Sequence, residues 1–250
     1  MGTVITVASG KGGTGKTSFC ANVAVSLCAL GEKVLLIDAD AGLRSLDIVL
    51  GMTDSLLFTY GDVIEGKALL KEAAVPHSVV RNLRVLTAPG LRKTYSRAQI
   101  AGLVARARGH FTFTLVDCAA GLGEDLLSFA AASDRAVIVS TPDQTALRSA
   151  QATAAALNAV GQHDCCIAVN RVRAGMIRKG DAATIDKAMD ASGLSLLGAV
   201  PEDTAVIACG NRGEVLTLSQ FGPAAQAYFN IARRLQGRRV RLLKDVPGRY

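Results

Sequence analysis

Seven short apolar runs, spread along the whole chain, restrict what it can fold into more than any other feature. They are TVITVA (3–8), KVLLID (33–38), LRVLTA (83–88), FTLVD (113–117), RAVIVS (135–140), CCIAVN (165–170) and SLLGAV (195–200). Each is nearly continuous in apolar residues instead of alternating with polar ones. That is the pattern of strands buried on both faces of a parallel sheet. Helix-like stretches at 16–30, 96–108, 144–160, 182–192 and 222–236 lie between and after them. The alternation predicts a three-layer α/β/α unit with a mostly parallel central sheet. No Pro/Gly/Ser-rich linker or internal repeat interrupts the 250 residues. One domain is therefore expected over 1–236, followed by a basic tail over 237–250.

In open sheets of this kind, ligands bind beyond the carboxyl ends of the strands. The polar residues that end the runs are Ser9, Asp38, Asp117, Thr141, Asn170 and the group Pro201, Glu202 and Asp203. They are predicted to gather along one edge.

The first run leads directly into Gly10–Thr17, GKGGTGKT, a full match to GxxxxGK[ST] placed between a strand and an alanine-rich helix. Gly12, Gly13 and Gly15 allow backbone N–H groups to turn inward on a phosphate, and the helix start adds its positive end. Gly10, Thr14 and Ser18 complete the loop and the first helical turn. Lys16 is placed to neutralise the β- and γ-phosphates and Thr17 to bind Mg²⁺, so ATP and Mg²⁺ are the expected cofactors. FTLVD delivers Asp117 next to this loop as a second metal-shell group. LLIDADAGLRSLD offers Asp38 and Asp40 at the end of the second strand, where a carboxylate can position the attacking water or the metal shell. Lys11 is not required by the motif at all.

The six cysteines lie mostly in apolar runs without a CxxC pair, and the three histidines are far apart. They predict small core residues of a reducing compartment, not a disulfide framework or a metal cluster. No apolar stretch is long enough to span a bilayer, and no signal-peptide pattern precedes the first strand. A cytoplasmic protein is expected. Of the net charge of +7, residues 233–250 carry seven basic residues against the single acid Asp245. A basic tail on a nearly neutral body suggests contact with an anionic surface.

Taken together, the loop with its extra lysine, LLIDADAGLRSLD, VDCAAG, VNRVRAGMIRKGD and GAVPED resemble the MinD branch of the MinD/ParA family of deviant Walker A ATPases, from about residue 3 to residue 236. The resemblance implies a P-loop NTPase fold and a Mg²⁺-dependent ATPase activated by dimerisation. It implies a homodimer with two nucleotides sandwiched at the interface, in which Lys11 reaches the phosphates bound by the other subunit. In the same way it implies that Asp40 helps activate water, that Asp38 supports the metal shell, and that Asn170 and Arg171 with Pro201, Glu202 and Asp203 hold adenine. It further implies reversible association with the inner face of the cell membrane, a division-inhibitor partner, an ATPase-stimulating regulator and a role in placing the septum. Val240, Leu242, Leu243 and Val246 would share one apolar face of a short membrane-contact segment. The alternatives within the family are a partition ATPase that binds DNA non-specifically through the tail, and a flagellar-number regulator. Two departures stand out. Cys118-Ala119-Ala120-Gly121 lacks the proline usual before Ala-Gly, and Arg148-Ser149-Ala150-Gln151 lacks the two acids usual in that segment.

Overall fold

The structure, a computed structural model, describes residues 1–53, 57–90, 93–219 and 222–243. In chain order the elements are β1 (Thr3–Ala8), α1 (Lys16–Ala29), β2 (Val34–Ala39), α2 (Leu46–Val49), α3 (Tyr60–Ile64), α4 (Leu70–Ala73), β3 (Val75–Pro76), β4 (Leu83–Leu86), α5 (Arg97–His110), β5 (Phe113–Cys118), α6 (Glu124–Ala132), β6 (Arg135–Ser140), α7 (Gln144–Ala159), β7 (Cys165–Val172), α8 (Ala174–Lys179), α9 (Ile185–Ser192), β8 (Ser195–Pro201), α10 (Thr204–Asn211), α11 (Leu216–Ser219) and α12 (Pro223–Leu235).

All seven apolar runs are strands, joined in one sheet of order β3-β4-β2-β5-β1-β6-β7-β8. Every pairing is parallel except that of β3, a two-residue edge strand antiparallel to β4. β3 was not expected, because two residues present no periodicity. The five expected helices are α1, α5, α7, α9 and α12. The other seven, of four to nine residues, follow local capping and tertiary contact more than pattern.

The near-continuous runs are explained by the two apolar layers they fill. On one face Val4, Leu35, Ile37 and Val116 pack with Phe129 and Leu157. On the other Ile5, Val7, Leu36 and Leu115 pack with Phe19 and Tyr228. Successive residues of one strand thus enter opposite layers, and neither face can be polar. The cysteines are free thiols, and all but the partly exposed Cys165 are buried. Among the described residues no group of His, Cys, Asp or Glu is arranged to hold a metal ion by itself. No described helix is long and apolar enough to cross a membrane.

The chain beyond α12 turns back at Gly237 (φ 81°) and runs without helix through Leu243. The Arg234 guanidinium donates two hydrogen bonds to the Val240 carbonyl, at 2.8 and 3.1 Å, and Leu243 packs partly buried against the body. The expected shared face of Val240, Leu242, Leu243 and Val246 is therefore not formed over its first three members. Val246 lies outside the described residues.

Candidate functional site

Because β1, β2, β5, β7 and β8 are parallel, their carboxyl ends share one edge. The register sets Asp38 beside Asp117 across β2 and β5, and Asp117 beside Val7 across β5 and β1. The phosphate loop leaves β1 at this point. Gly13 and Gly15 have φ of 80° and 86°, the left-handed region that glycine enters without strain. Gly10 is required for a different reason. A Cβ there would sit 2.2 Å from Ser149 Oγ and 2.6 Å from Thr153 Oγ1 on α7. The serine that replaces an expected acid thus packs against the first glycine of the loop. At Gly12 and Gly13 a Cβ would meet nothing, so the loop rim is open. α1 begins at Lys16 with no side-chain cap and no acid in its first turn. Its first amide donors are left for an anion.

Lys16 Nζ donates to Asp117 Oδ1 at 2.7 Å, and both side chains are buried. Burial pulls the Lys16 pKa down, but the Asp117 carboxylate beside it more than reverses this and holds the ammonium charged. Asp117 Oδ2 is buried without a hydrogen-bond partner. A buried, unpartnered carboxylate oxygen next to the phosphate loop fits a Mg²⁺ hydration shell, which would satisfy it. Asp38 accepts from the Asp40 N–H at 2.9 Å through Oδ1 and from the Leu46 N–H at 3.2 Å through Oδ2. Burial pushes its pKa up to about 7, against those two bonds and with help from the Asp117 charge. The Thr17 hydroxyl lies 3.2 Å from that of Ser45. Asp40 Oδ1 accepts from the Gly42 and Leu43 N–H groups at 3.1 and 3.2 Å, so its carboxylate is turned into its own loop.

Lys11 is neither in the phosphate cradle nor unattached. Its half-exposed ammonium donates to Thr145 Oγ1 at 3.2 Å and stands 3.9 Å from Asp143 Oδ1, at the start of α7. Partial burial would raise the Asp143 pKa. Hydrogen bonds from Thr141, Thr145 and the Ala146 N–H outweigh it and hold the group down at about 2. A cavity of ≈330 Å³ opens between Lys11, Gly12, Gly13 and Asp143 on one side and Arg171 and Arg173 on the other.

The residues expected around adenine do come together. Asn170, Arg171, Pro201, Glu202 and Asp203 line a single crevice of ≈160 Å³ that reaches Gly15 and Ser18. Asn170 has a second task, since its Nδ2 donates to the Thr14 carbonyl at 2.8 Å and so braces the phosphate loop. Three groups here were not expected from the sequence: Asp143 and Thr145, which hold Lys11, and Arg173, which grips Glu202 in a two-pronged ion pair. Asp143 at the start of a helix carried an N-cap signal, and it does accept from the Ala146 N–H. Arg173 carried none. After β5, the segment lacking the family proline is tied down by a Gly121 N–H bond of 2.9 Å to the Ser9 carbonyl.

A parallel sheet that sets an uncapped helix start, a lysine-bearing glycine loop and an unpartnered aspartate on one edge defines a Mg²⁺-nucleotide-binding P-loop NTPase. Comparison with known proteins narrows this class. The ParA model, described as the iron-transfer P-loop NTPase NUBPL, matches residues 1–236. The septum site-determining protein MinD of Thermotoga maritima is 34% identical over 249 residues, 98% of this chain and 92% of its own length. A chain of the MinC:MinD cell division complex of Aquifex aeolicus superposes with a TM-score of 0.91 at 32% identity, covering 97% of this chain and 98% of that one. MinD of Pyrococcus horikoshii, solved with Mg-ADP, superposes with a TM-score of 0.83 at 27% identity over 94% and 96% of the two chains. The protein belongs to the MinD/ParA family of P-loop ATPases, and within it to the MinD type, the type named for determining the septum site.

Proposed function

We propose that this ATPase is a dimerisation switch that places the division septum from the inner face of the cell membrane. The observation that carries the reading is the position of Lys11. Its ammonium sits on the open rim of the loop, held among the described residues by one hydroxyl and one distant carboxylate. It serves no group in its own phosphate cradle, so it is free to reach phosphates bound by a second copy. In that dimer the loop amides from Gly10 to Thr17, with Ser18 and Lys16, hold the triphosphate of ATP. Asn170, Arg171, Pro201, Glu202 and Asp203 hold adenine. Asp40 leaves its turn to orient the attacking water, while Lys11 and Lys16 stabilise charge on the transferring phosphoryl group. Thr17, Asp38 and Asp117 hold the Mg²⁺ shell, and the ion supplies electrostatic stabilisation of the phosphates.

The ATP-bound dimer presents two basic tails to an anionic membrane surface, and paired weak anchors hold where one does not. The same state recruits a division inhibitor, a pairing supported by the MinC:MinD complex of the Aquifex aeolicus relative. A regulator then stimulates turnover and release. The test combines sedimentation velocity with pelleting on phosphatidylglycerol vesicles. Wild-type protein is expected to dimerise and pellet with ATP and not with ADP. Lys11→Ala is expected to bind nucleotide as a monomer and to do neither. Equal pelleting with both nucleotides, or an ATP dimer of Lys11→Ala, overturns the switch.

A further inference from the structure

At the amino-terminal ends of β2, β4 and β5, about 20 Å along the strands from the phosphate loop, the chain forms an open cavity of ≈510 Å³. Six basic side chains line it: Lys33, Lys71, His77, Arg81, Arg84 and His110. No Asp or Glu does. Two of the six build the wall. Arg84 donates to the Lys71 and Ala74 carbonyls at 3.1 and 2.7 Å. The His77 ring accepts from the Val79 and Val80 N–H groups and lies 3.2 Å from the Leu50 carbonyl. Lys33, Lys71 and Arg81 are exposed and form no ion pair among the described residues. The two neighbouring acids are engaged elsewhere. Glu32 accepts from Gln236 Nε2 at 2.6 Å, and Glu72 accepts from the Leu69 N–H at 3.0 Å. Several cations around one concavity, with no carboxylate in its lining, focus a positive potential inside it.

A second observation gives the cavity a setting. The Gln236–Glu32 bond fixes the end of α12 beside Lys33. The described start of the tail, which carries Arg238, Arg239 and Arg241, therefore begins next to Lys33. Two cationic features share the end of the molecule opposite the nucleotide edge. The cavity is also a compact, partly apolar concavity open to solvent on one side, with Leu70, Val80 and Phe111 in its wall. That suits one phosphate on an apolar stem better than a nucleic-acid backbone, which needs a long basic track.

We propose that this cavity receives the phosphate headgroup of an anionic phospholipid, as a second membrane contact beside the tail. The proposal rests on the membrane association proposed above. It is tested with the full chain, saturated with ATP and Mg²⁺, on vesicles of phosphatidylglycerol in phosphatidylcholine. Lys71→Ala/Arg81→Ala alters two exposed side chains remote from the ATP site, so basal turnover and ATP-dependent dimerisation are expected to be unchanged. Vesicle affinity is expected to fall about fivefold per cation, roughly 25-fold for the pair. The chain has no tryptophan, so Phe111→Trp gives a single reporter inside the cavity. Its emission is expected to change saturably with glycerol phosphate and to shift blue on the vesicles, and both responses are expected to vanish with the double substitution. If the double variant pellets like wild type, the cavity site is overturned while the membrane reading stands. If wild type does not pellet, the membrane reading falls. A reporter response to glycerol phosphate alone then assigns a soluble phosphate ligand and overturns the lipid. Loss of duplex-DNA binding in the double variant, with vesicle binding intact, overturns the lipid in favour of nucleic acid.

Discussion

Asp143 restrains Lys11, and the strength of that restraint decides how readily the lysine can reach a second subunit. The contact is half-exposed, and exposed pairs contribute from nothing to about 1 kcal/mol. Asp143→Asn keeps an N-cap for α7 and removes the charge. It is expected to lower the protein concentration at which ATP drives dimerisation by at most about fivefold, measured by sedimentation velocity with and without ATP. Asp38 permits a pH prediction for the protein free of nucleotide and Mg²⁺. Its carboxyl titrates near 3.8 when unperturbed and near 7 when folded. The folded state therefore holds a proton that the unfolded state has lost between those values. The stability this contributes is fully present below pH 4 and is lost as pH rises through about 7. Urea midpoints across this window are expected to fall for wild type relative to Asp38→Asn, and to run parallel above it.

Among the elements, α12 shows how packing fixes the site from a distance. It lies against α1 on the layer opposite α5 and α7, with Tyr228 buried and edge-on to Phe19 at 6.2 Å. Tyr228 also lines the crevice expected to hold adenine. Truncation there leaves a cavity, so Tyr228→Ala is expected to cost about 3–5 kcal/mol in chemical denaturation. Tyr228→Phe keeps the ring and is expected to cost far less. A similar loss for both would show that the hydroxyl, not the packing, carries the effect. The helices α1, α5, α7 and α12 were legible because each runs unbroken for 13 to 16 residues between or after apolar strands. α2, α3, α4 and α11 have four or five residues and display no period. α6 escaped notice because EDLLSFAAA follows directly on the loop of the Asp117 strand.

The molecule as a whole divides its tasks between the two ends of one parallel sheet. The proposed nucleotide groups collect at the carboxyl ends, and the basic cavity and the described start of the tail lie at the amino ends. The tail is held to the body by the Arg234–Val240 bonds and the partial burial of Leu243. Deleting residues 238–250 is therefore expected to leave ATP-dependent dimerisation intact and to shift the thermal midpoint by only a few degrees. Vesicle pelleting is expected to be lost. Scanning calorimetry and the pelleting assay check the two halves of this expectation, and a deletion that unfolds the protein would place the tail within the domain.

The sequence alone determined the strands, the parallel sheet and the phosphate loop. Each is written in contiguous residues: unbroken apolar runs for burial on both faces, and glycine spacing for a backbone that must turn inward. It also marked Asn170 and the Pro201–Asp203 group as residues of the binding edge, because parallel strands bring their carboxyl ends together. Only the tertiary structure decided what each charged group faces. Lys11 meets Asp143 and Thr145 across 132 and 134 positions of chain, Lys16 meets Asp117 across 101, and the basic cavity draws on β2, α4, β4 and α5 together. Such encounters leave no local trace, because they depend on strand order and helix placement and not on neighbouring residues.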